Sequence, residues 1–300
     1  MAKYTKKKKI SAFDVVNNGL VILITLLMMY PLYFCVIASF SDPQEVALGN
    51  TLLWVKGFTL EPYKNVINES RLWVGYRNTI IYTLLGTLYN LALTIPVAYV
   101  LSKKYLPFRK ILTWFYLLMM FIGGGMIPNY LLMKSLKLVN NPLVMIIGVG
   151  VSAYNMTVAR QYFSASIPGE LYEAAYIDGA SEFKCFWSIA MPLAKPIIAV
   201  LSLYFGVGRW NNYYTGLLYL YKEKYFTLQQ VLRTILITSQ SAVTSGVNDI
   251  ETELYIIEKA RMAQGMKYST IFIASLPLLI IYPFLQKYFA KGVMVGSVKG

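Results

Sequence analysis

Ile167-Pro-Gly-Glu-Leu-Tyr-Glu-Ala-Ala-Tyr-Ile-Asp-Gly-Ala-Ser-Glu-Phe-Lys-Cys-Phe-Trp-Ser-Ile-Ala-Met-Pro192 is a patterned polar stretch set between two long apolar runs. Pro168 suits the first turn of a helix, where its missing N–H is no loss, and Glu170 to Tyr176 holds good helix formers. Asp178-Gly179 stops that helix: glycine takes the left-handed geometry that ends one, and Ser181 is placed to cap the next. The second helix carries Phe183, Phe186, Trp187 and Ala190 at spacings of three and four, so one face of it is expected to press against an apolar body. The first, with small Ala174 and Ala175, is left free for close approach by another molecule. The stretch predicts helix, turn, helix, and two readings stand: a docking element, or an amphipathic segment packed at lipid headgroups.

Outward from this loop, six apolar runs are long enough to cross ~30 Å of hydrocarbon at the helical rise. They are Val15 to Ala38, Asn78 to Leu101, Ile111 to Met133, Pro142 to Ala159, Pro196 to Leu220 and Tyr268 to Ala290, the fourth diluted by Asn155 and small residues. The first is longer than a signal-peptide core of ~7 to 15 residues and reads as a retained span. Pro31, Pro96, Pro277 and Pro283 fall inside spans and are expected to mark kinks. Composition agrees: 57% of the 300 residues are hydrophobic, 14% are charged and mean hydropathy is +0.50, too little charge to clothe a soluble core. The expected fold is an all-α integral membrane protein with six transmembrane helices. It has a tail at 1–14, one domain over 15–290 with its loop at about 161–195, and a tail at 291–300.

The net charge of +14 would suggest nucleic acid in a soluble chain. Here the basic residues sit beside apolar runs instead: Lys3 and Lys6 to Lys9; Lys103, Lys104, Arg109 and Lys110; Lys287, Lys291 and Lys299. That placement predicts membrane orientation and lipid contact rather than nucleic-acid binding, with both termini, the 102–110 loop and the 160–195 loop on the cytoplasmic side of the cell membrane. Segments 39–77, 134–141 and 221–267 then face outward. Within the last, Leu228 to Ile237 and Ile256 to Met266 have helical patterns and Ser239 to Asn248 reads as a loop.

Chemistry by the chain alone is disfavoured. It has no histidine, so the usual nitrogen metal ligand and general base are missing, and its two cysteines, Cys35 and Cys185, form no framework. No phosphate-cradling Gly-x-x-x-x-Gly-Lys-[Ser/Thr] occurs, and Gly123-Gly-Gly125 reads as close helix packing or a break in the third span. No cofactor and no metal are expected on this chain. A secondary transporter or channel would want buried Asp, Glu or His near the midplane, and the spans offer almost none.

Glu173-Ala-Ala, Gly179, Ile189 and Pro192 match the spacing of the EAA loop of bacterial ABC importer permeases, with Asp178-Gly-Ala as filling. Gly123-Gly-Gly-Met-Ile-Pro-Asn-Tyr, Trp210-Asn-Asn-Tyr-Tyr, Leu228-Gln-Gln-Val-Leu-Arg and the tail Lys291 to Gly300 resemble the oligosaccharide branch of that family, similar to the second permease of the maltose transporter. The resemblance covers most of the chain from Asn78 onward. It implies a type I, MetI-like permease fold, binding-protein-dependent sugar import, and a loop that couples to the ATPase through Glu170, Glu173, Ala174, Ala175, Asp178, Gly179 and Ala180. The implied partners are a second, non-identical permease, two copies of an ABC ATPase that hold ATP and Mg, an extracytoplasmic solute-binding protein and a carbohydrate. A homodimer is the alternative assembly. For the tail from Lys291, ATPase contact and a lipid anchor both stand.

Arg209, Trp210, Asn211, Asn212 and Tyr213 lie ~20 Å from the expected cytoplasmic end of the fifth span. Polar groups at that depth face a wet path or each other. The five are candidates for the substrate path, an aromatic ring with amide neighbours suiting a sugar, or else an interhelical polar clamp with an aromatic belt.

Overall fold

The computed structural model describes residues 11–148, 150, 152–242 and 265–283, and the regular structure among them is entirely helical. In chain order the helices are α1 (Ala12–Ser39), α2 (Pro43–Ala47), α3 (Glu61–Asn68), α4 (Ser70–Ser102), α5 (Arg109–Phe121), α6 (Met126–Ser135), α7 (Val144–Ile147) and α8 (Ala153–Ser166). They continue as α9 (Glu170–Ile177), α10 (Glu182–Cys185), α11 (Met191–Leu193), α12 (Lys195–Trp210), α13 (Tyr214–Tyr219), α14 (Leu228–Ala242) and α15 (Gly265–Pro283). A π-helical turn, Phe186–Ala190, joins α10 to α11.

Helices α1, α4 and α15 are each long and apolar enough to cross a bilayer. Two further candidates are bent pairs: α5 with α6, at 112°, and the Glu182–Leu193 segment with α12, at 76°. The first and second expected runs are thereby matched, and so is the part of the sixth that is described; the third falls on the bent pair of α5 and α6, and the fifth, Pro196 to Leu220, is not one helix but α12 and α13 broken at Asn211 to Tyr213, while residues 284–290 and the tail from Lys291 lie outside the described residues. The expected fourth run is not one helix. It is split into α7 and α8 around Gly148 and Gly150, and Ser152, whose hydroxyl accepts the Asn155 N–H at 3.3 Å, caps a new helix that continues to Ser166. The sharper bend falls at glycine, Gly125 taking φ +80° at the break between α5 and α6, and the other falls at Ala194 between Pro192 and Pro196, while Pro31 and Pro96 lie inside uninterrupted helices. Ser239 to Ala242, expected in a loop, extend α14 instead. The rest of that loop, and the expected helix Ile256 to Met266 up to Gly265, lie outside the described residues.

The chain divides into two compact units, residues 1–68 with 235–274 and residues 69–234 with 275–300. In the first unit, Phe40 stacks on Phe58 at 6.1 Å and meets Tyr63 at 5.0 Å and Phe272 at 6.3 Å. The Tyr63 hydroxyl donates to Ser39 at 2.7 Å, so the ring cluster of this unit also gives the buried Ser39 hydroxyl a partner. Most of α1 is exposed and apolar, as a lipid-facing helix requires.

The second unit is built on α4, which packs against α8, α12 and α7. Small side chains let these helices approach: Ala98 on α4, Ala159 on α8 and Ala190 and Ala194 at the approach to α12 are all fully buried. Higher on the same helix, Asn78 donates to the carbonyls of Lys224 and Phe226 at 2.9 and 3.0 Å, and Thr79 accepts the Leu228 N–H at 2.8 Å. The segment before α14 is thereby stitched to α4. Midway, the buried Arg209 guanidinium reaches from α12 to Asn90 Oδ1 of α4 at 2.6 Å, to the Ile146 carbonyl of α7 at 2.8 Å and to the Met145 carbonyl. It crosses directly over Gly86, where an added Cβ would stand 2.9 Å from Nε and 3.0 Å from Cζ.

Arg209 and Gly86 therefore form one unit. Gly86→Ala is expected to cost about 1–3 kcal/mol of stability, as overpacking does. In an Arg209→Met background, where the pinned guanidinium is gone, the same change is expected to cost less than about 0.5 kcal/mol. Thermal unfolding of the purified protein in detergent measures both; equal losses in the two backgrounds would show that the pair is not coupled.

Candidate functional site

Helix α9 is the first arm of the loop between Ile167 and Pro192. Glu170 and Glu173 occupy its first turn, where a carboxylate is favoured by the helix dipole. Its stop is the expected one: Gly179 has φ +74° and its N–H donates to the Tyr176 carbonyl at 3.0 Å, while Ala180 N–H returns to the Ala175 carbonyl at 2.8 Å. Nothing lies within 4 Å of a Cβ built on Gly179, so only the backbone angle demands glycine there. Ser181 then caps α10, accepting the Lys184 N–H at 3.4 Å.

The arm has two faces. Glu170, Glu173, Ala174, Ile177, Asp178 and Gly179 point outward into open space, and Ile177 is the extreme case at 87% exposed. Tyr172 is buried, and Ala175 and Ala180 are packed against the same core as α4, α8 and α12. The seven loop residues singled out from sequence therefore separate into an outward set and an anchoring pair. A bare isoleucine at the tip went unnoticed in sequence, although its only signal was plain: a large apolar residue directly before the Asp-Gly stop.

The second arm packs differently from its periodicity. Phe186 and Ala190 do turn toward the core, with Cys185 and Ile189, but Phe183 is 73% and Trp187 52% exposed. For Trp187 the cause is the π-helical turn, which inserts one extra residue into the repeat and brings Cys185, Phe186, Ile189 and Ala190 to the inner face instead; Phe183 lies ahead of that turn, on α10. Phe183 and Trp187 instead wall a groove of about 520 Å³ opposite Pro96, Val100 and Leu106.

Between the two arms and the end of α4 lies a cluster that composition did not signal. Lys103 ends α4, its N–H donating to the Val100 carbonyl at 3.2 Å, and its ammonium is buried with Nζ 3.2 Å from the centroid of the Tyr172 ring and 4.5 Å from that of Tyr99. Glu182, on α10, lies 3.9 Å from that ammonium and accepts hydrogen bonds from Tyr99 at 3.0 Å and from Tyr105 and Tyr176. Burial raises the Glu182 carboxyl, yet the three hydroxyls and the lysine together carry it below its ordinary value. Burial lowers Lys103, against the pull of Glu182. Tyr172 and Tyr176, one turn apart on α9, thus bind the loop to α4 from one side, and Glu182 and Phe186, the latter 5.0 Å from Tyr99, bind it from the other.

The five polar and aromatic residues expected on a substrate path do not act as one group. Arg209 and Trp210 are buried in packing, Trp210 edge-on to Tyr76 at 6.0 Å. Asn212 caps α13 through the Thr215 N–H at 3.1 Å, and Asn211 and Tyr213 are exposed at the break between α12 and α13. Beside that break is a cavity of about 360 Å³ lined by Met126, Asn129, Met133, Tyr214 and Thr215, where the bend between α5 and α6 and the start of α13 meet.

Comparison with known proteins agrees with this architecture. Protein LplC of Bacillus subtilis is 36% identical over 291 residues, covering 96% of this chain and 95% of that protein. The polygalacturonan/rhamnogalacturonan transport system permease protein YtcP of Bacillus subtilis is 33% identical, covering 96% and 98%. A chain in the crystal structure of a bacterial ABC transporter involved in the import of the acidic polysaccharide alginate superposes with TM-score 0.82 at 29% identity, over 96% of this chain and 100% of that one. The family described as binding-protein-dependent transport system inner membrane component matches residues 72–295. With all-helical architecture, bent spans and a capped loop hairpin in place, the chain belongs to that family of inner membrane components of binding-protein-dependent transport systems.

Proposed function

We infer that this chain is one of two non-identical permease subunits of an ATP-driven importer for an oligosaccharide, and that α9 is the element through which a separate ATPase drives it. The observation that carries this reading is the division of α9 into an outward face of Glu170, Glu173, Ala174 and Ile177 and an inward face held by Tyr172 and Ala175. A helix held on one side and bare on the other is suited to enter a cleft of a partner and carry its movement inward. Small Ala174 permits close approach, Glu173 supplies a carboxylate for charge-assisted hydrogen bonds, and Ile177 supplies an apolar anchor of the kind that dominates interface energies. On this reading the loop, both termini and the lysine-rich ends of the spans are cytoplasmic.

ATP binding and hydrolysis then belong to the partner. ATP can drive the cycle only by favouring one orientation of the spans over the other, with α9 as the lever. The carbohydrate assignment rests on YtcP, described as a polygalacturonan/rhamnogalacturonan transport permease, and on the transporter of the acidic polysaccharide alginate. On the same reading the substrate path passes the break between α12 and α13, a reading supported by the exposure of Asn211 and Tyr213, the bracing of the turn by Asn212, and Arg209 and Trp210 packed behind it.

Two experiments test the reading. Wild-type permease in detergent is expected to co-purify the ATPase subunit, and either Ile177→Asp or Glu173→Ala combined with Gly179→Asp is expected to lose it; ATPase retained by both variants would refute α9 as the docking helix. Native mass measurement of the purified complex is expected to give one copy of this chain with one copy of a different permease. Two copies of this chain alone would refute the heterodimer.

A further inference from the structure

Docking explains how α9 meets a partner, but not how its displacement reaches the membrane. Helix α9 is short, and its contacts with the rest of the unit are concentrated on one side. That side does not merely abut α4; it is joined to it through a buried charge. Lys103 sits beneath the Tyr172 ring, and Glu182 gathers the hydroxyls of Tyr99 from α4, Tyr105 from the following loop and Tyr176 from α9. The same end of α4 is held again from the next span: Arg109 Nε donates to the Leu101 carbonyl at 3.0 Å.

Resting on the importer reading, we propose that the cluster of Tyr99, Lys103, Tyr105, Tyr172, Tyr176 and Glu182 is the transmission contact that converts movement of α9 into movement of α4. These are positioning residues, remote from ATP and from cargo. Three features argue for transmission rather than simple packing. The parts come from three separate segments, α4 with its following loop, α9 and α10, so no single element moves without changing the cluster. An ion pair among tyrosine hydroxyls is directional, whereas apolar packing would let α9 slide over α4. The Tyr176–Glu182 bond also lies within the hairpin, so the two arms grip α4 together only while the hairpin is closed. Since α4 contacts α7, α8 and α12, a pull on its Lys103 end is felt by most of the second unit.

The test uses the assembled importer, permeases, ATPases and binding protein, in proteoliposomes, and reads solute transported per ATP hydrolysed. Tyr176→Phe, which keeps the ring on a partly exposed side chain, and Lys103→Met are each expected to retain the ATPase subunits and hydrolyse ATP. Their transport per ATP is expected to fall about tenfold, within the range that coupling between two sites spans. Lys103→Arg, which keeps the cation over the rings, is expected to restore most of the ratio. Wild-type transport per ATP in Tyr176→Phe and Lys103→Met together would overturn the proposal. So would loss of the ATPase from both, because the cluster would then be part of the docking surface. Failure of the wild-type permease to hold any ATPase would instead refute the importer reading on which the proposal rests.

Discussion

Lys103 places a cation out of water at the end of a 33-residue membrane helix, and a buried cation is tolerated only where its surroundings replace the lost hydration. Here the replacement is distributed. Two tyrosine rings offer their faces, Glu182 offers opposite charge, and three further hydroxyl contacts fix that carboxylate. None of these groups is useful alone, and the requirement for all of them sets where α9 and α10 lie, how the hairpin closes and which face of α9 remains bare.

Arg209 imposes the same kind of constraint deeper in the unit. Its guanidinium distributes its donors among two carbonyls of α7 and Asn90 of α4, tying three helices at one level, and Gly86 leaves the room for it to pass. The second unit is thus pinned by cations at two heights along α4, with small-residue packing between them. The regular helices are interrupted away from these two levels, at Ile122 to Gly125 and at Asn211 to Tyr213, beside which the cavity opens.

Sequence patterns were legible where local rules act alone. The apolar runs announced α1, α4 and α15, because a lipid-exposed helix must be apolar along its length and satisfy its own backbone. Asp178-Gly179-Ala180-Ser181 announced the hairpin, since a left-handed glycine and a serine cap are backbone chemistry written within a few residues. The fourth run misled because summed hydropathy does not register where Gly148, Gly150 and the Ser152 cap interrupt a helix. The second arm misled because periodicity assumes a regular repeat, and the π-helical turn at Phe186 to Ala190 breaks it. Arg209 and Trp210, grouped with their neighbours by adjacency, turned inward while Asn211 and Tyr213 turned outward at the end of α12.

By itself, the sequence determined that the chain is helical and membrane-embedded, which end of each span is basic, and that one polar loop folds as a capped hairpin. These follow from composition, local propensity and caps, which need no knowledge of distant residues. Only the tertiary structure decided that Lys103 and Glu182 meet, that Tyr172 and Tyr176 turn inward while Ile177 stays bare, and that Arg209 crosses Gly86. Each of those depends on residues between 6 and 123 positions apart (209 − 86) being brought together, or on the phase of one irregular turn, and no local pattern encodes either.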